Sequence, residues 1–91
     1  PTVFKRLDEG FFRVRMERLT PTARDYVYAM AALGRGPYRS ADVAEELGKP
    51  LSALGTTRAT IIRKGMIHSP AYGEIAFTVP MFEDHIRRNT P

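Results

Sequence analysis

The 91-residue chain contains no cysteine. Disulfides and thiolate metal sites are therefore excluded, and a reducing cytoplasm is the expected location. No apolar run approaches the roughly 20 residues that a membrane-spanning helix needs, and no charged-then-apolar leader opens the chain. A membrane is not expected among its partners. The chain starts at Pro1 without a methionine, which suggests a module excised from something longer. Acids are missing from one whole stretch: between Leu47 and Gly73 there is neither Asp nor Glu, while Lys49, Arg58, Arg63, Lys64 and His68 all lie there.

Signatures of catalysis are also missing. There is no phosphate-cradling glycine motif, no nucleophile elbow and no pair of histidines. Asp8-Glu9 and Glu45-Glu46 are carboxylate pairs in sequence only, and they read as solvated positions. Glu83, Asp84 and His85 are helical neighbours whose side chains point apart, so they make no ligand set. Neither enzymatic activity nor a metal or other cofactor is expected.

What is present suits one small folded unit. Hydrophobic residues at 43% and charged residues at 26% are globular values, unlike those of a disordered tail. A chain this short builds a single modest core. Its formal charge of +4 favours anionic partners, nucleic acid first.

Local punctuation gives the element order. Thr20 followed by Pro21 is a helix start, since Thr caps and Pro at the first position loses no useful N–H. Ala23, Tyr26, Val27, Met30 and Leu33 then follow helical spacing, with Arg24, Asp25 and Tyr28 outward, and Gly34 and Gly36-Pro37 end the helix. Ser40 is read as a second cap, followed by the apolar face Val43, Ala44 and Leu47 and the stop at Gly48. Asp42, Glu45 and Glu46 lie opposite that face. After Lys49-Pro50 a third helix is predicted over residues 51–64, burying Leu51, Leu54, Ile61 and Ile62, and Gly65 closes it. Residues 66–79 read as a β-hairpin turning at Pro70-Ala71-Tyr72-Gly73, and Pro80 ends its second strand. A short helix from Met81 to Arg88 follows, with Phe82 and Ile86 inward. Before Thr20 two patterns compete. Phe4, Leu7, Phe11 and Val14 form a helical stripe, whereas Phe12, Val14 and Met16 alternate with Arg13, Arg15 and Glu17. The stripe is longer and favours helix.

Three short helices followed by a hairpin is the order of a winged helix-turn-helix. The expected fold is thus α+β and mostly helical: a three-helix core plus a β-hairpin wing, with flanking N- and C-terminal helices. In that geometry the third helix enters the major groove and the wing follows the backbone. Helical projection sets Ser52, Thr56, Thr60, Arg63 and Lys64 away from Leu51, Leu54 and Ile61. Hydroxyls suit phosphates or base edges, and Arg63 suits guanine or phosphate. Lys49 in the turn, and His68 and Tyr72 in the wing, complete the candidate contacts to double-stranded DNA. Ser52 and Thr56, nearer the helix start, are the better candidates for specificity. Arg58 differs, because it projects into the apolar arc between Leu54 and Ile61. Either it is a structural charge tied to an acid or to helix-end carbonyls, or its long stem carries the charge out to a phosphate.

Several stretches also carry a resemblance. They are Leu7-Asp8-Glu9-Gly10-Phe11-Phe12-Arg13-Val14-Arg15, Leu19-Thr20-Pro21, Tyr26 through Ala29-Met30-Ala31, Arg58, Lys64-Gly65-Met66-Ile67, Ser69-Pro70, and Gly73-Glu74-Ile75-Ala76-Phe77-Thr78-Val79-Pro80 with Phe82. Together they resemble a recurring C-terminal region of bacterial AAA-type ATPases, similar in layout to the origin-recognition ATPases of archaea and eukaryotes. The Gly73–Pro80 run is the most specific part. The resemblance implies a winged helix-turn-helix domain over 19–91 and an N-terminal helical segment over 1–18 that connects a lid to it. It also implies a parent ATPase domain as partner in cis. The motor's glycine-rich loop and metal-binding acids have no counterpart here, so no ATPase residue carries over. Phe4, Phe11 or Phe12 left exposed would seek a partner surface, and a homodimer of the isolated segment is one outcome. Two other readings stand beside DNA binding. One is a winged helix that docks on a protein, suggested by the modest charge and the Ser-, Thr- and Ala-rich third helix. The other is a free-standing transcription regulator.

Overall fold

The computed structural model describes residues 10, 12–79 and 81–89. Phe4, Leu7, Phe11 and Pro80 lie outside them, as does most of the connecting segment expected over 1–18. The architecture is α+β and mostly helical, with one small antiparallel sheet. Residues 12–17 are helical (α1), as favoured, but the inward face is not the expected stripe: Val14 is exposed, and Phe12 is the buried residue. α2 spans Pro21–Ala32, with Thr20 Oγ1 accepting from the Ala23 N–H at 3.2 Å and Pro21 at the first turn, where its missing N–H costs nothing. It is the central helix and packs against α3 (Ser40–Leu47), α4 (Gly55–Arg63) and α5 (Phe82–Asn89). That position explains why consecutive residues Ala29, Met30 and Ala31 are all buried. Leu33, expected on the inner face, lies past the last turn and is exposed.

Two expectations about the next segment need correction. Ser40 does not cap α3; Arg39 holds that position and makes no side-chain capping bond, and Ser40 is buried as the first helical residue. Nor is 51–64 one helix. A 3₁₀ turn over Leu51–Ala53 comes first, closed by Ala53 N–H to Pro50 O and Leu54 N–H to Leu51 O, and α4 starts only after it. The change of pitch at Leu54 (φ −106°, ψ −3°) leaves that side chain in the core, while Leu51 is 49% exposed and Ile62, on the outer side of α4, 37%. Between α3 and this turn Gly48 adopts φ 67°, a left-handed conformation that costs glycine little.

The predicted hairpin is present with shorter strands, β2 (Ile67–His68) and β3 (Glu74–Phe77). A strand that local pattern did not reveal, β1 (Tyr38–Arg39), adds to the other edge of β3 and gives the order β1-β3-β2. The register pairs Tyr38 with Ile75 and Ile67 with Phe77. Tyr38 ties this edge down: its hydroxyl donates to Gly34 O at 2.6 Å and its ring meets Phe77 edge-on at 5.9 Å. A Cβ on Gly36 would come within 2.7 Å of that ring, so only glycine fits there.

α5 closes the core. Phe82 stacks on Phe77 with centroids 5.3 Å apart and lies 4.8 Å from Phe12 of α1; His85, also buried, is 4.6 Å from Phe12. α1 therefore shares one hydrophobic cluster with the residues after Leu19. Among the described residues no helix is long and apolar enough to cross a membrane.

Two outcomes follow from this packing. Phe82→Ala is expected to lower unfolding free energy by about 3–5 kcal/mol in urea titrations, whereas Val14→Ala on the exposed side of α1 changes it by less than about 0.5 kcal/mol. Burial, reinforced by the Glu83 carboxylate, pushes the Tyr38 hydroxyl up from 10 to about 12. Folding thus favours the protonated phenol, and this stabilisation is complete below pH 10 and is lost as pH rises towards 12. Alkaline melting curves should show that loss in the wild type and a shallower one in Tyr38→Phe.

Candidate nucleic-acid interface

The turn Gly48-Lys49-Pro50 sets the approach of α3 to α4 and leaves Lys49 exposed. Ser52, on the 3₁₀ turn, and Thr56 and Arg63, on α4, are exposed as well, and Thr60 between them is half-buried. Their common side follows from what α4 buries: of its nine residues only Ile61 is buried, so the opposite side has no neighbour to cover it. Thr60 Oγ1 donates to Thr56 O at 3.0 Å and accepts from Arg63 Nη2 at 3.1 Å. This relay holds the Arg63 guanidinium along the helix and leaves its other N–H groups for a ligand. Lys49, Arg58, Arg63 and Lys64 pair with no carboxylate among the described residues.

Lys64 is turned elsewhere. Its Nζ donates to Arg18 O, and it borders a cleft with Arg15, Arg18 and Met66. The structure thus places three cations together at the junction of α1 and the end of α4. Arg15 and Arg18 were not singled out by sequence reasoning, since a contact between residues 46 apart leaves no local periodicity. His68 is exposed on β2 opposite Ala76, and Tyr72 is fully exposed in the β2–β3 loop. That loop is shaped by Ser69 Oγ donating to Ala71 O at 2.9 Å and by Gly73 at φ 76°.

Arg58 is half-buried, and its partner is neither of those expected. Nη1 donates to Ser40 Oγ at 3.2 Å, a hydroxyl in place of a carboxylate or a helix-end carbonyl. The Tyr26 hydroxyl lies near Ser40 and Arg58: burial raises its pKa, and these two neighbours partly offset the rise. Arg58 and Ser40 thus join α4 to α3, with Tyr26 of α2 beside them. They form the floor of a groove of about 460 Å³ that runs between α4 and the β2–β3 loop. Among the described residues no three or more His, Asp or Glu are gathered as they would be around a metal.

These observations define a small α+β module whose α4 presents hydroxyls and the Arg63 guanidinium to solvent, with no carboxylate ion-paired to that face among the described residues. The chain belongs to the family DUF8462, a domain of unknown function, whose model matches residues 9–86. No curated protein and no solved structure matches the chain.

The Ser40–Arg58 bond generates a stability test. Ser40→Ala leaves the guanidinium without its partner and is expected to cost about 1–3 kcal/mol in chemical unfolding. Ser52→Ala, on the solvent side, is expected to stay within about 0.5 kcal/mol.

Proposed function

We propose that the chain is a winged helix-turn-helix domain that binds duplex DNA and carries out no catalysis itself. The observation that carries the reading is the joint exposure of Thr56 and Arg63 on α4 with Lys49 in the preceding turn and Ser52 on the 3₁₀ turn, within a stretch that contains no acid. The order α2, β1, α3, α4 and then β2–β3 supports the fold reading, as does the short glycine-containing turn between α3 and α4.

Dimensions agree with insertion. With its side chains an α-helix is about 10–12 Å across, which matches a major groove about 12 Å wide, and the nine residues of α4 give it about 13 Å of length to lie there. With α4 in the groove, Ser52 and Thr56 near its start meet base edges, and Lys49 and Arg63 flank them at the phosphates. His68 and Tyr72 on the hairpin approach the neighbouring backbone. Lys64, with Arg15 and Arg18, extends the cationic surface past the end of α4, and this supports affinity more than sequence choice. In the ATPase setting suggested by the Gly73–Pro80 run, the module would deliver a motor domain to DNA.

Fluorescence anisotropy with a labelled duplex at two or more salt concentrations tests the reading. Arg63→Gln and Lys49→Gln should each weaken binding several-fold and reduce the slope of log K against log salt by about 1. Affinity that ignores salt, or is unchanged by both substitutions, excludes this face as the contact.

A further inference from the structure

The groove between α4 and the β2–β3 loop does not have the chemistry of the hydroxyl-lined side next to it. One wall is the stripe Leu51, Gly55, Ala59 and Ile62, and the other is Ser69, Tyr72 and Gly73. Leu51, Ile62 and Tyr72 are three of the large apolar side chains that this protein leaves exposed, and all three border this one groove. Grouped exposed apolar side chains of this kind mark a contact with another molecule, whereas scattered ones do not. A phosphodiester backbone gains little from such a lining.

The charge of the groove narrows the occupant. Its lining has one ionisable cation, Arg58, and no acid. Arg58 gives Nη1 to a neutral serine hydroxyl and pairs with no carboxylate among the described residues. A guanidinium has five N–H donors in a planar fork that matches a carboxylate, and the half-buried position strengthens such a pair relative to one in open water. Small residues on both walls, Gly55 and Ala59 on one side and Gly73 on the other, let an extended backbone lie close. The volume of about 460 Å³ falls within the roughly 300–1,000 Å³ of clefts that hold ligands.

We propose that this groove docks an extended peptide segment of a partner protein in which a carboxylate side chain stands next to large aliphatic residues. The carboxylate meets Arg58, and the aliphatic residues pack against Leu51, Ile62 and Tyr72. This does not depend on the duplex reading: the Leu51–Ile62 stripe and Arg58 are separate from Lys49, Thr56 and Arg63, and only Tyr72 borders both surfaces.

A phage-displayed library of random heptapeptides, panned on the intact chain, tests the proposal. Two variants separate fold from site. Gly55→Leu fills the groove; its new Cβ meets no atom within 4 Å, and its positive propensity change in a helix keeps the protein folded, as circular dichroism verifies. Arg58→Gln shortens the side chain, keeps a polar amide and removes the charge. The expected result is enrichment of peptides with Asp or Glu beside Leu, Ile, Val or Phe. Synthetic copies should lose at least 10-fold in affinity for Gly55→Leu, and Arg58→Gln should remove the preference for the acid while retaining the aliphatic one. No enrichment, acid-free winners, or equal binding to Gly55→Leu overturns the proposal. So does a drop in duplex-DNA affinity on Arg58→Gln as large as that on Arg63→Gln, which would assign the groove to a phosphate.

Discussion

α4 is held from one side only. Leu54, at the break in pitch, and Ile61, about two turns further on, seat it against α2, and no other large apolar side chain of the segment is buried. A helix anchored so narrowly has most of its circumference left over. The chain uses that surplus for two unlike surfaces: hydroxyls with Lys49 and Arg63 on one side, and an aliphatic stripe beside Arg58 on the other. Both surfaces depend on the same pair of buried residues.

The second surface needs a wall opposite the helix, and the aromatic cluster supplies it. Phe12, Phe77, Phe82 and His85 lock α1, β3 and α5 together, and Tyr38 holds β1 against the far edge of β3. With β3 fixed at both edges, the β2–β3 loop is carried at a set distance from α4. The Arg58–Ser40 bond, with Tyr26 beside it, then sets the floor of the groove between them. An arginine satisfied by a hydroxyl costs less to keep half-buried than an unpaired one, yet it keeps donors for an incoming anion.

Features determined by neighbours in sequence were legible. Thr20 caps and Pro21 leads α2; Gly48 turns left-handed where the second helix had to stop; the hairpin turns at Pro70–Gly73; and Phe82 and Ile86 face inward. Features determined by distant contacts were not. β1 is two residues long and exists because Ile75 pairs with Tyr38 across a gap of 37 positions. Ser40 has the chemistry of a cap, but Arg58, 18 residues away, takes its hydroxyl. Leu51 and Ile62 have the spacing of core residues, and only the 3₁₀ start and the open side of α4 explain their exposure. For the candidate site, the exposed positions of Thr56 and Arg63 could be projected from helical geometry, whereas Ser52 is exposed on a 3₁₀ turn that the projection did not foresee. The turning of Lys64 towards Arg18, and the groove itself, could not, because they depend on how α1 and the hairpin meet α4.

The most direct measurement is a backbone amide NMR titration of the chain with a short duplex at low salt. The expected result is that the shifted resonances cluster at Lys49, Ser52, Thr56, Thr60 and Arg63 and at His68 and Tyr72, recover on addition of salt, and leave the buried residues of α2 in place. Shifts centred on α2 or α5, or a spectrum that duplex leaves untouched at low salt, would contradict the assignment of α4 as the DNA-facing helix.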